Sequence, residues 1–215
     1  MHKVQIAPSI LSADFSNLES EVRAIEKAGA HMLHIDVMDG HFVNNITFGP
    51  ALVKSIRDKT RLPFDVHLMI DPVTKYITDF ADAGADIITV HIEAEDDIQG
   101  AIELIRSLGK KAGIAINPET KIDKILPFID AVDQVIVMSV HPGFAGQSFI
   151  RDSIDRIQKI KVLIASRNIL LEVDGGISSL CSQDCINAGC DILVAGSSIF
   201  NTNNYEHSIR EIIGS

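Results

Sequence analysis

Basic residues are scarce in this chain. Its 19 lysines and arginines face 29 aspartates and glutamates, a formal net charge of −10. Nucleic acid and anionic membranes need a basic face to neutralise their phosphates, so neither is expected as a partner. Any phosphorylated ligand must then be held by local backbone dipoles. Long apolar runs are missing from the opening MHKVQIAPSILSADF, where Pro8 and Asp14 break a short apolar stretch. That pattern is neither a signal peptide nor a membrane span, and the expected compartment is the cytoplasm. Cysteine is limited to Cys181, Cys185 and Cys190. An odd number in one short segment, at a spacing that matches no zinc pattern, reads as buried free thiols. Low-complexity tracts and blocks of like charge are also lacking, and no GxGxxG follows the first apolar run, which argues against a dinucleotide fold.

What is present is a regular alternation. Eight short apolar, β-branched runs recur, at Val4 to Ile10, Met32 to Val37, Phe64 to Leu68, Ile87 to His91, Ala112 to Ile116, Val132 to Met138, Ile169 to Asp174 and Ile192 to Ala195. Between them lie amphipathic segments, including 17–28, 72–83, 97–108 and 149–164, with apolar residues at spacings of three and four. Three end alike, in Ala28-Gly29-Ala30, Ala83-Gly84-Ala85 and Ala188-Gly189-Cys190, where glycine supplies a left-handed cap and turns the chain into the next strand. Eight βα units without a large insertion predict a closed (β/α)8 TIM barrel. A length of 215 residues leaves room for one such domain, residues 1–215, and not for two.

In such a barrel, functional groups sit where strands end. The second run ends in His34-Ile35-Asp36-Val37-Met38-Asp39-Gly40, the third in Asp65-Val66-His67-Leu68-Met69 and the seventh in Glu172-Val173-Asp174-Gly175-Gly176. Strand side chains alternate, so His34 and Asp36 point the same way. Two imidazoles and two carboxylates at one mouth suit Zn2+, Fe2+, Mn2+ or Co2+. A lone histidine on an apolar strand is ordinarily a hydrogen-bonded core residue, which is the reading for His91. For His34, Asp36, His67 and Asp174 together that reading fails, because burying two carboxylates without compensation costs roughly several kcal/mol each. Glu172 shares the parity of Asp174 one step deeper. Met38, Met69 and Met138 lie near strand ends, where both core packing and a place in the wall around the reacting carbon are open to them.

Strands two and seven are three steps apart around an eight-stranded ring, about 135°, so Asp36 and Asp174 face each other across the mouth. A carbon held between them meets a base on each face, which is what inversion at a centre acidified by a neighbouring carbonyl requires. A divalent ion at this mouth would stabilise an enediolate. Gly175 and Gly176 after strand seven, and Gly196 and Ser197 after strand eight, occupy the positions where barrels bind phosphate. After strand six, the small residues around Gly143, Phe144, Ala145 and Gly146 permit close backbone approach to a ligand, with Phe144 as a cover. Ser9, at the end of strand one, is placed to donate to a substrate oxygen. No strand end carries the lysine that a decarboxylase or Schiff-base aldolase would want, and a non-catalytic sugar-phosphate sensor would not need both carboxylates.

The stretches APSILSADF, HIDVMDGHFV, DVHLM, AGADIIT, MSVHPGFAGQSF, EVDGG and VAGSSIF together resemble the ribulose-phosphate 3-epimerase family, from Ile6 to about Tyr205. The resemblance implies a (β/α)8 barrel of the ribulose-phosphate-binding type, interconversion of D-ribulose 5-phosphate and D-xylulose 5-phosphate in the pentose phosphate pathway, and one divalent metal ion per subunit of a homo-oligomer. By matching motif, His34, Asp36, His67 and Asp174 are the implied metal ligands, and Asp36 and Asp174 the implied acid/base pair. Ser9, His67, Gly143, Phe144, Ala145, Gly146, Asp174, Gly175, Gly176, Gly196 and Ser197 are the implied substrate contacts. One loop departs from the family: HPGFAGQ stands where NPGFGGQ is usual, with His141 and Ala145 the differing residues. Alanine at that position also occurs in D-allulose-6-phosphate 3-epimerases, which is the alternative substrate reading.

Overall fold

A computed structural model describes residues 4–94 and 96–214. Eight parallel strands form a single sheet: β1 (Gln5–Pro8), β2 (Leu33–Met38), β3 (Phe64–Met69), β4 (Ile87–His91), β5 (Lys111–Ile116), β6 (Gln134–Met138), β7 (Leu170–Asp174) and β8 (Ile192–Ala195). Their order is β1-β8-β7-β6-β5-β4-β3-β2. The remaining seam, β1 against β2, is held by a parallel bridge from Ser9 to His34 and by the His31 N–H donating to the Ile6 carbonyl at 3.0 Å. The sheet is therefore a nearly closed barrel, as the alternation predicts.

Among the described residues, eight α-helices pack outside it: α1 (Leu18–Lys27), α2 (Pro50–Arg57), α3 (Ile77–Ala83), α4 (Ile98–Ser107), α5 (Ser153–Ile164), α6 (Ser182–Ala188), α7 (Ser197–Phe200) and α8 (Tyr205–Ile213). Gly29, Gly84 and Gly189 all take positive φ, as expected where these helices turn back. The units are not uniform. Between β5 and β6 the chain makes only two 3-10 turns, Ile122–Ile125 and Ile129–Ala131. Pro127 stands between them, lacking the N–H an α-helix needs and clashing with the preceding turn. Two helices, α7 and α8, follow β8 instead. The segment expected to be helical from Pro72 begins at Ile77, a turn occupying its start.

Strand alternation divides the core. One set of side chains, including Leu33, Ile35, Phe64, Val66, Ile88, Val90, Val135, Leu171 and Val173, is fully buried against the helices in one continuous apolar cluster. At about 25 cal/mol per Å² of apolar surface removed from water, this layer is the main source of stability. The opposite set points into the barrel and is unusually polar. His34 and Asp36 on β2, Asp65 and His67 on β3, Thr89 and His91 on β4, Gln134 on β6, and Glu172 and Asp174 on β7 are all buried. Barrel interiors are ordinarily filled by branched apolar residues, so this column of polar groups marks the path by which the mouth is wired into the core.

Candidate active site and metal centre

Strand register brings the polar groups together. His34 pairs in register with Asp65 and Asp36 with His67 across β2 and β3, while Asp174 at the end of β7 lies beside Met138 and Val194. One donor atom from each of His34, Asp36, His67 and Asp174 can be chosen so that all four lie within 4.8 Å of one another. Asp36 Oδ1 is 3.3 Å from both His34 Nε2 and His67 Nδ1. Asp174 Oδ2 is 3.8 Å from His34 Nε2 and 3.5 Å from His67 Nδ1. These two nitrogens are buried and have no hydrogen-bond partner. Two unpartnered imidazole nitrogens between two carboxylates are a group able to hold a divalent cation.

Electrostatics agrees with that reading. Burial opposes charge on His34, but the Asp36 and Asp65 carboxylates outweigh it and hold its pKa well above the usual imidazole value. His67 is raised to about 9, burial being overcome by the Asp174 and Asp36 carboxylates beside it. Burial likewise opposes ionisation of Asp36, yet His34 and His67 hold it well below the usual carboxylate range. The site thus attracts positive charge, whether carried by protons or by a metal ion.

The His34 ring is set from behind. Asp65 Oδ2 lies 2.6 Å from His34 Nδ1 and Asp65 Oδ1 accepts from Gln134 Nε2 at 3.1 Å. With the Nδ1 hydrogen committed to Asp65, Nε2 faces the cluster. Glu172 Oε1 is 3.2 Å from the same Nδ1, but both its oxygens lack a hydrogen bond. Burial and the Asp65 carboxylate push Glu172 well above the usual carboxylate range, so it is neutral inside the barrel. His91 is the hydrogen-bonded core residue expected of it, its Nε2 lying 2.9 Å from His67 Nε2.

Above the cluster is a cleft walled by the loops after β1, β6, β7 and β8. Asp36 and Asp174 form part of its floor, and Ser9, Gly143, Phe144, Ala145, Gly146, Gly175, Gly176, Gly196 and Ser197 all line it. His67 does not: it is fully buried beneath the two aspartates. Ser9 Oγ donates to Asp36 Oδ2 at 2.5 Å, which orients the carboxylate and leaves its other oxygen toward the imidazoles. Met38, Met69 and Met138 also line the cleft, the second of the two readings open to them. The loop carrying Phe144 is tied down by Asn45 Nδ2 donating to the Gly143 carbonyl at 2.7 Å and by Gln147 Nε2 donating to the His141 and Phe144 carbonyls. His141 stands outside the cleft lining and pairs with Glu119 at 2.9 Å. A Cβ on Gly176 would lie 2.5 Å from the Phe149 nitrogen, and one on Gly175 2.8 Å from the Val140 nitrogen, so this wall is backbone packed on backbone. The three cysteines are free and buried, as expected.

A parallel barrel with paired carboxylates and imidazoles at the carboxyl ends of its strands, under a glycine-lined cleft, defines an α/β-barrel enzyme of the kind that works on small polar substrates. Residues 5–200 match the model of the ribulose-phosphate 3-epimerase family. Ribulose-phosphate 3-epimerase of Bacillus subtilis (strain 168) is 46% identical over 215 residues, 99% of each chain. That of Escherichia coli (strain K12) is 43% identical over 215 residues, covering 99% of this chain and 96% of the relative. The chain belongs to the ribulose-phosphate 3-epimerase family and is an isomerase. Among solved structures, 3-hexulose-6-phosphate synthase from Salmonella typhimurium superposes with a TM-score of 0.71 at 22% identity, over 99% of this chain and 97% of that one, a likeness of fold alone. Among the described residues, no helix is long and apolar enough to cross a membrane.

Proposed function

We propose that the chain, acting as one barrel domain, inverts C3 of D-ribulose 5-phosphate to give D-xylulose 5-phosphate and the reverse, with Asp36 and Asp174 as the two bases. The observation that carries this reading is the cluster itself. Carboxylates from β2 and β7 approach the same pair of unpartnered imidazole nitrogens from different strands, and both reach the cleft floor.

His34, Asp36, His67 and Asp174 would hold one divalent ion of the Zn2+, Fe2+, Mn2+ or Co2+ type. Such an ion supplies a Lewis acid that disperses the negative charge building on substrate oxygens as the C3 proton leaves. Asp36, held by Ser9, removes the proton from one face and Asp174 returns one to the other, with the roles exchanged in the reverse direction. The enediolate between the two steps is planar at C3, so either carboxylate can protonate it. Met38, Met69 and Met138 exclude water from the carbanionic carbon, which would otherwise be protonated without facial control. The phosphate lies against the backbone N–H groups around Gly175, Gly176, Gly196 and Ser197, so no basic side chain is needed. Phe144, 60% exposed at the rim, covers the sugar. The relatives' names favour the pentulose over the six-carbon D-allulose 6-phosphate.

The test is isotope exchange in deuterated water with metal-analysed variants, assayed with both ketose phosphates. Asp174→Asn will cut net epimerisation by roughly 10²–10⁴, the usual worth of a positioned base, and will still exchange C3 deuterium into one epimer without inverting it. Asp36→Asn will show the opposite epimer preference. Near-normal epimerisation by metal-replete variants at both positions would overturn the two-base reading.

A further inference from the structure

We propose that Glu93, which lies outside the four-donor cluster, is a positioning residue that aims the Nδ1 lone pair of His67 into the cluster by way of His91. The proposal rests on the metal-holding reading given above. His91 is fully buried, with the Phe42 and His67 ring centroids 4.8 and 4.9 Å from its own. Its Nδ1 lies 3.1 Å from Glu93 Oε2 and its Nε2 lies 2.9 Å from His67 Nε2, with the two imidazole planes within 20° of parallel. A carboxylate only accepts, so the hydrogen between His91 and Glu93 sits on His91 Nδ1. A buried, neutral imidazole carries one hydrogen, which leaves a lone pair at His91 Nε2. The hydrogen in the Nε2–Nε2 contact therefore belongs to His67. When His67 is neutral, as a metal ligand must be, its remaining lone pair is at Nδ1, the atom with no hydrogen-bond partner 3.3 Å from Asp36 Oδ1 and 3.5 Å from Asp174 Oδ2.

Glu93 is itself locked in the accepting role. Its other oxygen, Oε1, accepts from the Asn117 N–H at 2.8 Å, so both oxygens meet donors. His34 obeys the same rule by a shorter route, with Asp65 on its Nδ1 and Nε2 left free. Each metal-facing nitrogen is thus set by a carboxylate at the far end of its ring system, directly for His34 and through a second imidazole for His67.

Replacing Glu93 by glutamine tests this sharply, because an amide has one accepting oxygen and one donating NH2. The oxygen is claimed by the Asn117 N–H, so the NH2 must face His91 Nδ1. That reverses the relay: His91 carries its hydrogen on Nε2, His67 accepts there, and the hydrogen of His67 moves to Nδ1, where it blocks a ligand. Alanine at the same position removes the template without imposing the reverse. Zinc affinity is measured by chelator competition on the full chain, beside the melting temperature of each metal-free variant. Glu93→Gln will raise the zinc Kd roughly 10–100-fold, and more than Glu93→Ala does, although alanine is the larger loss of contacts. Zinc binding by Glu93→Gln within two-fold of the unsubstituted chain overturns the relay, as does a larger loss in Glu93→Ala. An unsubstituted chain that takes up no zinc overturns the metal reading first, and the relay with it. Imidazole 15N chemical shifts of the zinc-loaded, unsubstituted chain give an answer that does not depend on any variant folding. They will place the His91 hydrogen on Nδ1 and that of His67 on Nε2, and a His91 hydrogen on Nε2 overturns the proposal.

Discussion

Metal affinity at this site will fall steeply as the pH is lowered, because the carboxylates that attract a divalent ion also attract protons to the two imidazoles. Burial disfavours imidazolium at His67, yet the adjacent Asp174 and Asp36 carboxylates raise its pKa from 6.5 to about 9. An ion that takes the Nδ1 position at about pH 7 must displace a proton held against an interval of about two pH units. At about 1.36 kcal/mol per unit this costs about 3 kcal/mol, or about a hundred-fold in Kd. His34 is raised as well, so the apparent Kd will grow by up to about a hundred-fold per pH unit while both rings compete with protons. Calorimetric titration of zinc in buffers of different ionisation enthalpy reads the protons released, and between one and two per ion are expected at about pH 7. Tight stoichiometric binding with fewer than about half a proton released would refute the argument. The linkage for folding has a definite sign too. A raised histidine pKa stabilises the metal-free fold fully below the unfolded value of 6.5, and that contribution is lost as the pH climbs through about 9. Metal-free protein will therefore lose stability over this range while zinc-loaded protein gains it, and their melting temperatures will diverge.

Two further outcomes concern the cleft wall. Ser197→Asp places a negative charge against the proposed phosphate position and will raise KM for the phosphorylated ketose with the melting temperature retained; an unchanged KM would put the phosphate elsewhere. Gly176→Ala puts a Cβ 2.5 Å from the Phe149 nitrogen and 2.8 Å from the Gln147 carbonyl oxygen at φ +65°, none of which can swing aside. A left-handed non-glycine residue alone costs about 1–3 kcal/mol, so both a lower melting temperature and a raised KM are expected, and wild-type values of both would contradict the close packing of this wall.

The sequence by itself determined the barrel, the strand ends and the donor set, because these depend on local periodicity. β4 and β8 occupy the predicted residues Ile87–His91 and Ile192–Ala195, and the parity of His34 with Asp36 follows from the strand repeat alone. Departures fall where a local rule meets tertiary context. The first run extends to Ile10 by composition, but β1 stops at Pro8, because Ser9 caps a 3-10 turn over Ile10–Ser12 and gives its hydroxyl hydrogen to Asp36. The fifth connection lacks the α-helix that a regular repeat would supply, with Pro127 as the local cause.

Only the tertiary structure decided how the donors are aimed. Asp65 and Gln134 are ordinary polar residues in the sequence whose partners lie 31 and 69 positions away along the chain, and Glu93, two residues from His91, is locked by the Asn117 N–H 24 positions on. Neither strand parity nor motif spacing says which nitrogen of His34 or His67 faces the mouth. That is settled by which carboxylate or second imidazole the barrel closes against the other side of each ring. The same holds for the three methionines, whose sequence positions fit core packing and cleft wall alike and whose place in the wall follows only once the strands are assembled. Hydrophobic periodicity is a property of neighbours along the chain, whereas the direction of a lone pair is a property of neighbours in space.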